Sequence, residues 1–325
     1  MKIIGIEEHF LTGQVEDAWA SVTAAKDPAE RLHKRADVGR RLTDLGEERL
    51  RLMDETGLEV QVLSLTTPGL HNLDAASSVD LAQRTNDLIA ATIDSQPQRF
   101  QGFAALPTPS PAEAPRELER CVRTLGFKGV MLHGRTRDKN LDHKDFWPIL
   151  ECAADLDVPL FIHPQIPQQP VRDAYYSGFG DSTDLAFSTF AIGWHYEAGI
   201  QFLRMVLAGV FDRYPRLQII LGHWGEVVLF YAERLASLER VTKLDRPFSA
   251  YIRDNLYVTA SGMFLPSYLQ RSIEVLGVDR ILFSTDYPYQ YRPGRDAGRF
   301  LEQAPLDDAG KEKFAHGNWE RLTDR

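Results

Sequence analysis

The sequence of 325 residues predicts a (β/α)8 barrel of the TIM type, with long loops after the first and fifth strands. Eight short apolar runs, rich in β-branched residues, alternate with segments that have the pattern of amphipathic helices. Most of the runs lack polar–apolar alternation, which is typical of parallel strands buried on both faces. No glycine-rich phosphate loop follows the first run, as it usually would in an open doubly wound sheet. We therefore expect residues 1–325 to form a single barrel domain.

The predicted strands are distributed along the whole chain. They cover residues 2–7, 60–65, 100–106, 127–132, 158–163, 217–223, 256–261 and 280–286. Each is four to eight residues long and ends close to a glycine, a proline or a polar residue, which is typical of buried strands. The first run, KIIGIE, leads directly into two carboxylates and an imidazole.

Predicted helices follow the strands. They cover residues 44–56, 78–94, 110–126, 143–155, 196–212, 226–240, 265–276 and 307–321. In the third of these, Ser110 is interpreted as the N-cap, Pro111 as the first helical residue and Glu113 as the capping-box partner. Residues 10–43 and 164–195 separate the first and fifth strands from their helices. Loops of this length inside a compact domain are usually lids or pocket walls.

Composition and charge exclude several classes of protein. Hydrophobic residues make up 43% and charged residues 26% of the chain, which is enough apolar material for a full core. The net charge is −9 and no long lysine–arginine cluster is present, so nucleic acid is not an expected partner. No apolar window approaches the roughly 18 residues of a membrane span, and the first residues lack a signal-peptide pattern. Cys121 and Cys152 are interpreted as reduced thiols of a cytoplasmic protein.

Residues capable of chemistry stand where the predicted strands end. In a (β/α)8 barrel the working site lies at the C-terminal ends of the strands. Strand one ends in Glu7 and His9, strand five in His163, strand six in His223 and strand eight in Asp286. Because side chains alternate along a strand, Glu7 and His9 should point to the same side, into the barrel mouth. Glu8 should point away.

Two carboxylates and two imidazoles from these strand ends form a donor set for a divalent cation such as Zn²⁺ or Mn²⁺. A cation would offset the repulsion between Glu7 and Asp286, which would otherwise take up protons in a buried site. Each residue has an ordinary alternative when it is taken alone. A single histidine in IHP or GHWG can be a satisfied core residue, and Asp286 can be a turn residue of STDYP. Their joint position at the ends of strands one, five and eight favours the metal site.

Four segments in order, EEHF, LFIHP, FDRYPRLQIILGHWGE and RILFSTDYPY, resemble the amidohydrolase superfamily. They are most similar to its branch of metal-dependent decarboxylases, which act on γ-resorcylate, 2,3-dihydroxybenzoate, 5-carboxyvanillate and aminocarboxymuconate semialdehyde. The resemblance extends over nearly the whole chain. It implies a non-oxidative decarboxylase that takes a small hydroxylated aromatic carboxylate, without nucleic acid or membrane partners, and that assembles as a homodimer or homotetramer.

The resemblance also implies roles for individual residues. Metal ligation falls to residues of strands one, five and eight, namely Glu7, His9, His163 and Asp286. His223 and Glu226 of GHWGE match a catalytic or substrate-orienting pair, and Arg234 matches an arginine that binds the substrate carboxylate or a ring oxygen. One metal ion is expected, because GVMLHG in strand four lacks the lysine that binuclear members carry.

Decarboxylation of an aromatic ring requires a proton on the ring carbon. Asp286 is our first choice for the donor, and His223 oriented by Glu226 is the second choice or a proton relay. His133 and His195 depart from the pattern of the branch, and we expect both to contact the substrate. Their structural alternatives, a loop cap for His133 and a helix start for His195, stay open. For Arg234 the alternative is a solvated helix charge.

Two other functions stay open at this point. A hydrolase or hydratase on the same scaffold would use the metal to activate water against a lactone, ester, amide or activated alkene. A non-catalytic, metal-stabilised barrel would serve only for binding. Release of carbon dioxide from salicylate-type acids would distinguish the decarboxylase from both.

Overall fold

The computed structural model describes residues 1–22, 26–34 and 36–324. Within these residues, eight parallel strands form one sheet in chain order, with each strand paired to the next. This architecture confirms the predicted (β/α)8 barrel. The strands are β1 Ile4–Phe10, β2 Val60–Leu65, β3 Phe100–Ala105, β4 Gly129–His133, β5 Leu160–His163, β6 Ile219–Leu221, β7 Leu256–Thr259 and β8 Ile281–Leu282.

Strand β1 closes the barrel against the segment around β8. The amide of Ile6 donates to the carbonyl of Phe283 at 3.1 Å, and the amide of His9 donates to the carbonyl of Tyr287 at 2.7 Å. The short β8 is therefore continued by single hydrogen bonds beyond its two strand residues.

A register shift in β1 decides which side chains enter the barrel. Gly5 pairs with Gln61 of β2, whereas Glu8 pairs with Leu63, so β1 contains one extra residue between these two pairs. Ile4, before the shift, and Ile6, within it, both belong to the inner apolar cluster. With the extra residue, Glu7 faces inward in place of Glu8. A bulge of this kind re-aims side chains and is common beside active sites.

The helices surround the strands, and short 3₁₀ or π turns extend several of them. The α-helices are Gly13–Ser21, Ala36–Thr43, Glu47–Thr56, Ala75–Ser95, Ala114–Arg123, Trp147–Leu156, Gln169–Tyr175, Asp181–Ala186, Gly193–Leu207, Val210–Arg213, Ala232–Leu235, Phe248–Asn255, Pro266–Leu276, Asp296–Gln303, Asp308–Glu312 and Asn318–Thr323. The shorter turns are Pro28–Lys34, Lys144–Phe146, Phe187–Ala191, Ala236–Arg240, Val278–Arg280 and Lys313–Gly317.

Two predicted helix starts are wrong. Ser110 does not cap a helix, because residues 110–113 form turns and the helix begins at Ala114 with Pro115 in its first turn. The helix predicted from Glu226 begins only at Ala232. Glu226 has a φ of 48° and its neighbour Val227 a φ of 65°, and this left-handed backbone cannot continue a right-handed helix.

The two long loops are largely helical. The loop after β1 contains Gly13–Ser21, Pro28–Lys34 and Ala36–Thr43, and residues 23–25 and 35 within it lie outside the described residues. The segment from Pro164 to Ile192, which follows β5, contains three short helical turns, and we refer to it as the lid. The lid ends where the helix Gly193–Leu207 begins.

An inner apolar cluster fills the lower part of the barrel, below the strand ends that carry polar groups. The rings of Phe103 and Phe161 lie 6.1 Å apart, and Trp319 packs against Phe103 at 5.5 Å. Each fully buried side chain of this size contributes about 1.5–3 kcal/mol to folding. Cys121 and Cys152 are unpaired, as predicted. Among the described residues, no helix combines the length and apolar character that crossing a bilayer requires.

Candidate active site

The four predicted ligand residues meet at the barrel mouth, which is the end of the barrel formed by the C-terminal ends of the strands. One ligand atom from each of Glu7, His9 and His163 lies within 4.8 Å of the other two. Asp286 joins them, because its Oδ1 lies 3.4 Å from His9 Nε2. His163 Nε2 lies 3.8 Å from Glu7 Oε1. The structure thus brings together residues from β1, β5 and the segment after β8.

Glu7 is held from one side by three hydroxyl groups. Its Oε2 accepts hydrogen bonds from Ser261, from Thr259 at 3.2 Å and from Ser284 at 3.4 Å. Its other oxygen, Oε1, is buried without a hydrogen-bond partner among the described residues. Burial raises the pKa of Glu7 to about 8. A fully buried carboxylate with one oxygen unpaired requires positive charge nearby if it is to stay ionised.

The two imidazoles present nitrogen atoms towards the same space. His163 Nδ1 lies 2.8 Å from the carbonyl of Pro164, which can only accept, so Nδ1 carries the hydrogen and Nε2 carries the lone pair. His9 Nδ1 lies 3.1 Å from Ser64 Oγ, and its buried Nε2 has no hydrogen-bond partner among the described residues. Burial lowers the pKa of His9 to about 3, so this ring is neutral. Neutral imidazole is the metal-binding form of histidine.

Asp286 sits on a strained turn beyond β8. Its φ of 56° is unusual for a residue with a side chain, and such strain is common at functional sites. Burial raises the pKa of Asp286 to about 7, although the nearby imidazoles of His223 and His195 oppose the shift. In the metal-free site Asp286 can therefore hold a proton near neutral pH.

Glu8 lies on the opposite side of β1 from Glu7 and His9, as predicted. It accepts hydrogen bonds from the amide of Thr285 at 2.8 Å and from Thr285 Oγ1 at 2.6 Å. Gln61 Nε2 is 3.4 Å away. Glu8 thus ties β1 to the end of β8 and leaves the mouth to Glu7 and His9.

The donor set at the mouth fits a divalent cation. Glu7 Oε1 and His9 Nε2 are buried ligand atoms without partners, and a buried polar atom is seldom left unsatisfied in a folded protein. Two imidazole nitrogens with carboxylate oxygens suit Zn²⁺ and Mn²⁺. The four residues Glu7, His9, His163 and Asp286 would hold the ion.

A second cluster lies beside the first and consists of His195, His223 and Glu226. The Glu226 carboxylate is fully buried and accepts from both rings, from His223 Nδ1 at 2.6 Å and from His195 Nδ1 at 2.7 Å. The two rings are 4.5 Å apart. Burial alone would raise the pKa of Glu226, but the two imidazoles outweigh it and lower the pKa to about 2. For His223, burial opposes the charge, yet Glu226 raises the pKa to about 10.

A tight turn after β6 fixes this pair. His223, Trp224 and Glu226 all have positive φ, between 47° and 60°. The amide of His223 donates to Ser261 Oγ at 2.7 Å, and the amide of Trp224 donates to the carbonyl of Thr259 at 2.8 Å. The left-handed turn therefore depends on hydrogen bonds to the end of β7.

His133 lies at the end of β4, in register with His163 of β5, and the two rings are 5.3 Å apart. Its Nε2 is buried without a hydrogen-bond partner among the described residues. Burial lowers the pKa of His133 well below its ordinary value. Gly69, with a φ of 64°, allows this approach, because a Cβ at that position would collide with His133 Nδ1.

His195 and Arg234, which are also predicted to contact the substrate, differ from His133 in their surroundings. His195 has protein partners at both nitrogens. Its Nδ1 bonds to Glu226 at 2.7 Å, and its Nε2 lies 3.2 Å from the carbonyl of Phe190 and 3.3 Å from Trp194 Nε1, of which only one can share its single hydrogen-bond position. Arg234 is exposed on the short helix Ala232–Leu235, and the structure does not bring it into either cluster. Its side chain lines a surface groove together with Phe230 and Tyr231.

Several residues of the site were not predicted from the sequence. Ser261 and Thr259 bind Glu7, Ser64 bonds to His9, and Trp194 stands between the rings of His163 and His195, 6.3 Å from the first and 6.2 Å from the second. A signal existed for the first two. Thr259 and Ser261 are hydroxyl residues two positions apart at the end of an apolar strand, which places both on one face.

Comparisons with known proteins agree with this geometry. A family model described as Amidohydrolase matches residues 17–324. The chain is 36% identical to a γ-resorcylate decarboxylase of Polaromonas sp. strain JS666, over 98% of this chain and 97% of that protein.

Solved structures are similar over the whole length. The 5-carboxyvanillate decarboxylase of Sphingomonas paucimobilis superimposes with a TM-score of 0.91 at 33% identity, covering 99% of both chains. A dihydroxybenzoic acid decarboxylase of Polaromonas sp. JS666, solved with bound manganese and the inhibitor 2-nitroresorcinol, gives a TM-score of 0.86 at 33% identity, covering 99% of this chain and 97% of that one.

Proposed function

Because this chain belongs to the amidohydrolase family, we propose that it is a metal-dependent, non-oxidative decarboxylase of a hydroxylated aromatic carboxylic acid. The observation that carries the proposal is the meeting of Glu7, His9, His163 and Asp286 at the mouth, with two buried ligand atoms left without partners. The similar proteins named above are decarboxylases of such acids, and one of them binds manganese. We further propose that residues 1–325 act as one barrel domain.

We propose that one divalent ion, Mn²⁺ or Zn²⁺, is held by these four residues. When bound, the ion supplies positive charge that stabilises the carboxylate and the neighbouring ionised hydroxyl of the substrate. The lone pairs of His9 and His163 and the free oxygen of Glu7 are the groups available for ligation. The hydroxyl groups around Glu7 Oε2 orient this carboxylate, so that Oε1 faces the ligand position.

In the proposed reaction, Asp286 holds a proton and passes it to the ring carbon that bears the carboxylate. The carbon–carbon bond to the carboxylate then breaks. Its electron pair returns to the ring, which regains aromaticity, and carbon dioxide leaves. The overall change replaces the carboxylate with a hydrogen atom and consumes one proton. His223, fixed by Glu226, is positioned to exchange a proton with Asp286 or with the substrate.

We propose that His133 accepts a hydrogen bond from a substrate hydroxyl. The nitrogen concerned is Nε2, which accepts a hydrogen bond when the hydrogen of the neutral ring is on Nδ1. This nitrogen is buried and has no partner among the described residues. A hydroxyl on the substrate would satisfy it, whereas an ionised oxygen would be repelled.

We propose that the exposed guanidinium of Arg234 binds the substrate carboxylate or a ring oxygen. Its support is the resemblance in sequence, since within the chain Arg234 is exposed and lines a surface groove apart from both clusters. Arginine binds a carboxylate in a bidentate fashion, so its loss should weaken substrate binding more than it slows the chemical step.

We also propose that the chain assembles with copies of itself, as a homodimer or homotetramer. The groove beside Arg234 is bordered by Phe230, which is 74% exposed, and Val241 nearby is 81% exposed. A second copy covering these side chains would remove them from water. Sedimentation of the purified protein as a monomer at micromolar concentration would contradict this part of the proposal. A cytoplasmic location is proposed from the sequence, in keeping with two unpaired cysteines.

The proposed function is tested with a panel of hydroxybenzoates and methoxy-carboxybenzoates. The purified protein, supplied with Mn²⁺ or Zn²⁺, is expected to release carbon dioxide from at least one acid that has a hydroxyl next to the carboxylate. The Asp286→Asn variant serves as the inactive control. Consumption of lactones or esters, or addition of water to an alkene, without release of carbon dioxide from any acid would overturn the proposal in favour of a hydrolase or hydratase.

A further inference from the structure

The residue that most needs an explanation is His195, since its neighbours leave it no free nitrogen for a substrate. Its Nδ1 bonds to Glu226 Oε2 at 2.7 Å, and its Nε2 is in contact with Phe190 and Trp194. The His195 and His223 side chains are 14% and 11% exposed, and both contact the fully buried Glu226 carboxylate.

The carboxylate of Glu226 has two oxygens, and each is given to a different histidine. Oε1 is used by His223 and Oε2 by His195. A buried carboxylate with only one oxygen satisfied would be free to rotate about its last bonds and would leave a costly unpaired oxygen. With both oxygens bound, the plane of the carboxylate is fixed. His223 Nδ1 is then held at one point, and its Nε2 is left for the mouth.

His195 is itself held by the end of the lid. Phe190, whose carbonyl contacts Nε2, belongs to the last turn of the lid, and Trp194 directly precedes His195. Gly193 allows the lid to pack this closely, because a Cβ at that position would collide with the carbonyl of Ser188. The contacts of His195 Nε2 thus fix the ring from the lid side, and the contact of Nδ1 passes this constraint to Glu226.

We propose that His195 is a positioning residue, which acts through Glu226 to orient His223 and which links the lid to the proton-transfer groups. This inference rests on the proposed function, in which His223 exchanges a proton at the mouth. The charged and titratable groups that face His223 are Glu226 and His195 from the second cluster, and Glu7, His9, His163 and Asp286 from the first.

Two substitutions test the contacts of His195 Nδ1 and of His195 Nε2 separately. In His195→Asn, the amide nitrogen occupies nearly the position of Nδ1, so the donor to Glu226 is kept and the lid contacts of Nε2 are lost. In His195→Gln, the amide reaches towards the position of Nε2, so the lid contact is kept and the donor to Glu226 is lost. Loss of a partner of this kind typically lowers activity 10- to 100-fold.

The experiment measures kcat and KM of the metal-loaded enzyme for both variants, with the exposed His143→Gln variant as a matched control. We expect His195→Gln to lower kcat about 10- to 100-fold with KM within about threefold of wild type, and His195→Asn to restore most of kcat. Equal losses in both variants, or a loss that appears only in KM, would overturn the positioning role.

Crystal structures of the two variants give a second readout that does not depend on turnover. The proposal expects Glu226 Oε1 to stay within hydrogen-bond distance of His223 Nδ1 in His195→Asn and to move away in His195→Gln. An unmoved Glu226 in His195→Gln would overturn the inference. If the wild-type enzyme decarboxylates no acid of the panel, the proposed function fails, while the position of Glu226 still decides the role of His195. An anomalous metal signal on His195, His223 and Glu226 would instead identify this cluster as a metal site and overturn the positioning role.

Discussion

Removal of the Ser261 hydroxyl should weaken metal binding, because this hydroxyl is the closest donor to the carboxylate of Glu7. Ser261 and Thr259 donate to the same oxygen, with Thr259 at 3.2 Å and Ser284 more distant at 3.4 Å. Ser261 Oγ also accepts from the amide of His223 at 2.7 Å. The Ser261→Ala substitution therefore removes one hydrogen bond to a charged ligand and one to the turn that carries His223.

The size of the effect follows from the charge on Glu7 in the metal-bound state. A hydrogen bond to a charged group contributes about 1.5–3 kcal/mol. Since Thr259 and Ser284 remain and compensate in part, we expect the lower end, about 1.5–2 kcal/mol. This corresponds to a dissociation constant for Mn²⁺ that is roughly 10- to 30-fold higher, at 1.4 kcal/mol for each factor of ten.

Isothermal titration of the chelator-stripped protein with Mn²⁺ measures this change directly. The matched control is Ser272→Ala, a buried serine whose hydroxyl bonds to the carbonyl of Tyr268 within its own helix. Chemical denaturation without metal separates the effect on folding from the effect on metal binding. A dissociation constant for Ser261→Ala within twofold of wild type, in a folded protein, would refute the idea that this hydroxyl orients Glu7 for ligation.

Three further predictions test other parts of the account. Asp286→Asn should lower turnover by at least about 100-fold while the circular dichroism spectrum stays that of the wild type, because the proposed proton donor is lost; unchanged turnover would exclude Asp286 as the donor. Arg234→Ala should raise KM by about tenfold with a smaller change in kcat, as measured by steady-state kinetics. A change in kcat alone would contradict the proposed carboxylate contact. Burial lowers the pKa of His33 to about 4, so below pH 6.5 the unfolded chain binds a proton that the folded chain rejects, and stability falls between pH 6.5 and 4. In His33→Gln, the free energy of unfolding measured with urea should fall less over this pH range, by up to about 3 kcal/mol at 1.36 kcal/mol for each pKa unit. An unchanged pH dependence would contradict the assignment of this effect to His33.

The barrel could be predicted because each strand has a sequence pattern that can be recognised without its neighbours. Runs such as VQVLSL and VPLFIH are short, apolar and β-branched, and buried parallel strands need no other signal. The β2 strand has the predicted bounds, Val60–Leu65. Strands β6 and β8 are shorter than predicted, because the residues after Leu221 and Leu282 leave the regular ladder to form the mouth. The polar residues at these strand ends indicate a functional site. Placing their side chains in that site requires an irregular backbone.

The bulge in β1 could not be predicted from periodicity. Strict alternation from Ile4 and Ile6 would direct Glu8 into the barrel, and only the extra residue brings Glu7 and His9 to the inner face. Glu7 lies within the bulge and His9 in the regular register that resumes at Glu8, and both face the mouth. The register of a strand depends on its neighbours, and the pattern of one strand alone cannot show where it shifts.

The contact of Glu226 with His195 on the lid side also could not be predicted from the local sequence. His195 and Glu226 are 31 positions apart and meet only because the lid ends against the helix that begins at Gly193. Likewise, the apolar spacing of VVLFYAERL fits a helix, but Glu226 and Val227 have positive φ, in a turn whose first residue, His223, bonds to Ser261 after β7. Local propensity is overridden here by the packing of the site.

The most direct test of the account is an anomalous difference map from a crystal of the protein loaded with Mn²⁺. We predict one peak at the barrel mouth, at about 2.0–2.4 Å from ligand atoms of Glu7, His9, His163 and Asp286. A map without a peak at this position, or with its only peak on His195, His223 and Glu226, would contradict it.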